Sequence, residues 1–198
     1  MSIKKVTVYA ASSQALDADY IEAAADLGTV LGRAGLSVVY GGGGSGLMGA
    51  MADAALAAGA EVHGIIPEFL TRVESPHAGL TSLEVVDDMR TRKARMLEGS
   101  DAVIALPGGC GTFEELFEAM TLKRLGQFFG PIILVNTQAY YDKLVAFLRH
   151  SVDQRFMNRT HLQMWTVIDN PAELMDAIAR AEGSRKHSWQ SEAVVRPR

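Results

Sequence analysis

The chain has 198 residues, 48% of them apolar, one cysteine and a formal charge of −4. That length and apolar content suffice for the core of a single domain. The acidic balance argues against a nucleic-acid surface built on bulk positive charge, and a single cysteine excludes an intramolecular disulfide framework and paired-cysteine metal sites. No stretch approaches a membrane span, and "MSIKKVTVYAASS" at the start has too short an apolar run for a secretion signal. These features predict a cytoplasmic protein with neither a membrane nor a nucleic acid as partner.

Short β-branched or apolar runs alternate with longer helical patterns. "KKVTVYAA" reads as a strand, "ADYIEAAADLGTVLGRAG" as a helix, "LSVVYGGG" as a strand, "GLMGAMADAALAAGA" as a helix and "EVHGIIP" as a strand. Residues 67–88 form the least regular connection, suited to a rim or lid. A helix around "MRTRKARMLEGS" and the strand "DAVIAL" follow, then a helix from Phe113, where Leu116, Phe117 and Met120 recur at i+3, i+4 and i+7. The strand "PIILVN", a helix from Tyr140 to His150, the strand "MWTVID" and a helix opened by Pro171 complete the pattern. This rhythm of βαβ units predicts an α/β fold on a parallel sheet. One domain is expected over residues 1–182, with a mobile tail over 183–198, where periodicity stops.

In such sheets ligands bind outside the carboxyl ends of the strands, so the turns there hold the candidate chemistry. "ALPGGCGTFEELFEAM" joins a strand to a helix through three glycines, and free N–H groups at a helix start that a ligand can approach closely make an anion site. Thr112 followed three residues later by Glu115 also reads as a capping box, which needs no ligand. Cys110 near a helix N-terminus can be a nucleophile, but no base stands near it in sequence, which favours a small turn residue.

A second turn, "YGGGGSGLMGAM", follows another strand. Gly44, Gly46 and Gly49 satisfy GxGxxG, with Glu68 about 20 residues on where a ribose-binding acid would stand, so a nicotinamide enzyme is a competing reading. That fingerprint normally follows the first strand of its unit, and here it follows the second; close packing of the next helix on the sheet is the structural alternative. No GK[ST] follows, which excludes a P-loop. Arg90, Arg92, Lys93 and Arg95 cluster between the two turns, either as a solvated helix face or as forks for a phosphorylated ligand. The five histidines show no HxxxH or HExxH spacing, so no metal site is expected.

"YGGGGSGLMG", "MRTRKARM" and "PGGCGTFEE" resemble the GGGxxGLMG, RK and PGGxGTxxE motifs of the LONELY GUY phosphoribohydrolases, long labelled lysine decarboxylase-like; the likeness runs from about Val6 to Arg180. The resemblance implies a Rossmann-like, doubly wound parallel sheet with helices on both faces, usually in a homodimer. It also implies hydrolysis, without a cofactor, of the N-glycosidic bond of cytokinin riboside 5′-monophosphates and often of AMP. By the same resemblance Arg92 and Glu115 match the catalytic pair. Glu74, Lys93, Thr121 and the run Gly109, Cys110, Gly111, Thr112, Phe113, Glu114 and Glu115 match nucleotide contacts, while Gly43, Gly44 and Ser45 match the first glycine turn.

Departures from the pattern leave the preferred base open: Cys110 replaces a frequent tyrosine, Arg90 a frequent histidine, and Ala10 and Ala11 a frequent Cys-Gly pair. Nothing in the sequence suggests pyridoxal phosphate. For the mechanism, Glu115 beside the ribose would stabilise an oxocarbenium-like sugar and help deliver water, and Arg92 nearby is expected to keep it ionised. A carrier of the same fold that binds a nucleotide or cofactor without cleaving it is the main rival.

Overall fold

The computed structural model describes residues 3–184. In chain order these form β1 (Lys5–Tyr9), α1 (Ala18–Arg33), β2 (Ser37–Tyr40), α2 (Gly46–Ala57), β3 (Val62–Pro67), β4 (Ser82–Val86) and α3 (Met89–Leu97). Then come β5 (Ala102–Ala105), α4 (Cys110–Arg124), β6 (Ile132–Val135), α5 (Asp142–Asp153), β7 (Thr166–Ile168) and α6 (Leu174–Ser184). The expected tail, beyond its first two positions at the end of α6, lies outside the described residues.

The strands make one seven-stranded sheet in the order β4-β3-β2-β1-β5-β6-β7. Every neighbouring pair is parallel, with Val6 opposite Val38 on one side and Ala102 on the other. Strands covered on both faces need continuous apolar sequence, and β5 (AVIA) and β6 (IILV) are buried at every residue. The doubly wound Rossmann-like expectation is borne out.

β4 is the strand that the sequence reading left inside an irregular connection. Its SLEVV sequence sits at the sheet edge, mostly in contact with solvent, so it carries neither a continuous apolar run nor a clean alternation.

Two cores flank the sheet. On one face Leu27 and Leu31 of α1, Met51 and Ala55 of α2 and Leu174 and Ile178 of α6 pack on Val6, Val8 and Ile104. On the other, Met96 of α3, Leu116 and Met120 of α4 and Leu148 of α5 cover Tyr9, Val103 and Leu134. α1 and α2 approach closely because Gly28 faces α2, where a Cβ would collide with the Met51 carbonyl oxygen and come within 2.8 Å of the Ala55 nitrogen.

β1 leads through α1 to β2 on one side, whereas the chain reaches β5 on the other side only after α3. The carboxyl ends of β1 and β5 therefore frame the crevice where strand order reverses.

Candidate active site

α4 begins three residues before its apolar periodicity. Gly109 is the N-cap, the Phe113 N–H donates to the Gly109 carbonyl at 3.0 Å, and Thr112 stands inside the first turn. Thr112 and Glu115 therefore do not form the expected capping box. A glycine cap has no side chain to satisfy the first N–H groups, which leaves those of Cys110, Gly111 and Thr112 for something outside the helix.

These groups border a cleft of about 330 Å³. Gly109, Gly111, Thr112 and Glu115 form one wall, Ala10 to Ser13 after β1 form the floor, and Gly41, Met48, Glu74 and Arg92 close the far side. The two residues matched to a catalytic pair thus line one cavity.

Glu115 is 7% exposed. Burial pushes its carboxyl up to about 7, against the downward pull of Arg92 and Lys93 and with a smaller upward push from Glu114 and Glu118. Arg92 favours the ionised form of Glu115, as expected, but removal from water outweighs that pull.

Arg92 is equally buried, and the strand ends hold it. Its Nε donates to the Ile65 carbonyl at 3.1 Å, Nη2 to the Gly41 carbonyl at 2.9 Å, and Nη1 reaches the Met89 sulfur at 3.8 Å. Gly41 makes room for this, because a Cβ there would run into the guanidinium. A cation fixed by carbonyl oxygens stays in place whether or not an anion is bound.

Glu74 reaches the cleft from the connection that follows β3, and its Oε1 accepts a hydrogen bond from Ser12 Oγ at 3.0 Å. Four other matched residues, Lys93, Phe113, Glu114 and Thr121, do not line the cleft. Lys93 lies 2.7 Å from both Glu114 and Glu118, whose carboxylates hold its ammonium above the usual lysine range. Phe113 stacks on Tyr140, with centroids 6.4 Å apart and planes at 13°. Thr121 is exposed near the other end of α4. Cys110 is exposed at the first helical position, beside the cleft wall.

The first glycine turn is largely spent on structure. The Gly44 N–H donates to the Ser75 carbonyl, Gly43 pairs with Pro76, and Ser45 Oγ donates to the Ser12 carbonyl at 3.0 Å. A Cβ on Gly49 would lie 2.5 Å from the Gly44 oxygen, and Gly46 adopts φ +61. Tight packing thus accounts for the glycines that imitate a dinucleotide fingerprint, and Glu68 is an exposed residue at the start of a 3-10 turn, Glu68–Arg72.

Ser12, Ser13, Gly41 and Met48 line the cleft without having been singled out in the sequence. Ser12 and Ser13 follow the strand at the switch point, and that position is the signal that could have found them. A second, more apolar cavity of about 210 Å³ adjoins the cleft, sharing Ala11, Ser13 and Gly109 and walled by Leu16, Tyr20, Leu47 and Tyr140. Among the described residues no group of three or more His, Cys, Asp or Glu side chains could hold a metal ion, and no helix is long and apolar enough to cross a membrane.

The family model and the curated relatives point to one family. The family model described as "Possible lysine decarboxylase" matches residues 48–178. A cytokinin riboside 5′-monophosphate phosphoribohydrolase of Rhodococcoides fascians is 44% identical over 155 residues, covering 78% of each chain. One from Arabidopsis thaliana is 41% identical over 196 residues, covering 96% of this chain and 91% of the relative. Among solved structures, the molybdenum cofactor binding protein of Rippkaea orientalis superposes with a TM-score of 0.69 over 91% of this chain and 98% of its own, at 24% identity, a likeness of fold. With a family model matched over most of its length and relatives above 40% identity, the chain belongs to the LONELY GUY family of phosphoribohydrolases, the group also carried under the lysine decarboxylase description.

Proposed function

We propose that this chain hydrolyses the N-glycosidic bond of adenosine 5′-monophosphates, including N6-substituted ones, to a free base and ribose 5-phosphate. The observation that carries this is a buried carboxylate, poised near neutrality, on the wall of a cleft that also holds an uncapped helix start and a fixed arginine. The 5′-phosphate sits on the first turn of α4, against the N–H groups from Gly109 to Thr112. Binding there orients the ribose over Glu115.

Ionised Glu115 accepts a proton from water as the water oxygen bonds to C1′. The C1′–N bond breaks with its electron pair going to the purine, which takes up a proton, and the carboxylate stabilises the oxocarbenium character of the sugar. Arg92 contributes a fixed positive charge toward the anionic substrate. Water is the only co-substrate, so no cofactor is needed. The adjoining apolar cavity offers space for a substituent on the base.

We assign the catalytic unit to residues 1–182, acting as a cytoplasmic homodimer. Phe117 on α4, with Leu125 and Phe129 just beyond it, presents exposed apolar surface for a second copy. Thr121 stands 12 residues beyond Gly109, about 18 Å along the helix at the usual rise. It is too far from the α4 start of its own copy, but a dimer formed through this helix can bring it to the second copy's cleft.

Incubation with AMP and with an N6-prenylated AMP, followed by chromatography, should show free base and ribose 5-phosphate. Release of inorganic phosphate with an intact nucleoside would replace this reading by a phosphatase. Tight binding of AMP without cleavage of any purine ribotide would favour the carrier.

A further inference from the structure

Two consecutive tyrosines bind the turn that opens α4. Tyr141 Oη donates to the Leu106 carbonyl at 2.7 Å, and Tyr140 Oη donates to the Gly108 carbonyl at 2.5 Å. Between them the Pro107 carbonyl accepts from the Ala11 N–H at 3.3 Å. All three carbonyls leading into the helix are thus held from outside the turn.

The Gly108–Gly109 peptide is the one at risk of rotating. Glycine residues on both sides remove the side chains that normally restrict such a plane; Gly108 packs against Thr112, whereas a Cβ built on Gly109 would meet nothing within 4 Å, so its side of the peptide is the open one. A trans amide is planar, with its C=O and N–H pointing in opposite directions. Holding the Gly108 oxygen therefore fixes the direction of the Gly109 N–H.

The connection that delivers these tyrosines is strained. Gln138 and Ala139 both have φ 56, in the left-handed region, although neither is glycine. Buried Asn136 pins the segment: its Oδ1 accepts from the Tyr141 N–H at 2.7 Å, and its Nδ2 donates to Asp142 at 3.0 Å and Asp169 at 3.2 Å. Gln138 is tied to Asp19 of α1. Strain that its surroundings hold in place points to a use for the conformation. Here that use is to bring Tyr140 over Gly108.

We propose that Tyr140 is a positioning residue for the phosphate site: its hydroxyl locks the Gly108–Gly109 peptide so that the Gly109 N–H joins the N–H groups of α4 that receive the 5′-phosphate. The proposal rests on the nucleotide reading above. It predicts a loss confined to phosphorylated ligands, because this amide is assigned to the 5′-phosphate.

Tyr140→Phe removes the hydroxyl and keeps the ring that stacks on Phe113 and meets Tyr20 edge-on. Titration calorimetry with ribose 5-phosphate and AMP should show affinity weakened roughly three- to tenfold, the usual effect of one hydrogen bond. Adenosine affinity should stay at the wild-type value, and the melting temperature should fall by no more than the loss of one part-buried hydrogen bond accounts for. Equal weakening for AMP and adenosine would mean a general structural role and would overturn the proposal, as would unchanged AMP affinity. Wild-type protein that binds neither AMP nor ribose 5-phosphate sinks the nucleotide reading itself. Wild-type binding that Tyr140→Phe leaves intact removes only the role of Tyr140.

Discussion

Glu115 pays for its position in stability, and that cost has a sign. Its folded value of about 7 lies above the ordinary 4.5, so the folded state holds the proton more tightly than the unfolded chain does. Stability must then fall as pH rises from about 4.5 to about 7, with the full penalty present above that window. Glu115→Gln should therefore be more stable than wild type at pH 8, by an amount on the order of 1–3 kcal/mol, and lose this advantage by pH 4. The same substitution should lower AMP hydrolysis by roughly 10²-fold to 10⁴-fold while AMP still binds. In the wild type, kcat/KM should rise through a limb near pH 7 as the base ionises. A Gln variant that cleaves AMP at the wild-type rate would remove Glu115 from the chemistry. Cys110, exposed at the first position of α4, has no place in this scheme, so Cys110→Ala should keep most activity. Loss of turnover with fold and AMP binding intact would make the thiol chemical.

At the scale of elements, legibility in sequence followed burial. β5 and β6 read as strands because both faces are covered, whereas β4 at the edge left no pattern. The start of α4 was misplaced for a related reason: Gly111 and Thr112 line the cleft and Cys110 is exposed, so helical periodicity becomes visible only at Phe113. The resemblance singled out Arg92 and Glu115, but sequence could not show that Ile65 and Gly41 carbonyls hold the guanidinium, since those bonds come from residues far away in the chain. It also could not separate residues that border the cleft from Lys93, which Glu114 and Glu118 occupy. The α1–α2 contact carries a prediction of its own. Backbone atoms of α2 face Gly28 and cannot swing aside, so Gly28→Ala should destabilise the fold by about 1–3 kcal/mol, as overpacking typically does. A urea midpoint equal to wild type would show that the helices separate freely.

At the scale of the whole molecule, every strand pairing is parallel and no two sequential strands can close through a tight turn. β1 pairs with β2 about 30 residues later and with β5 almost 100 residues later, as in Val6 opposite Val38 and Ala102. The cleft inherits this long reach: its walls come from the ends of β1 and β2, the Glu74 connection, α3 and α4. Such topologies fold slowly because distant segments must meet before their contacts stabilise anything. A chain in which β5 has not yet docked beside β1 has a sheet and helices but no crevice, so it offers a nucleotide nothing to hold. Ligand present during refolding therefore acts by mass action on the finished product alone, drawing the population toward the complete sheet without favouring any half-assembled species along the way.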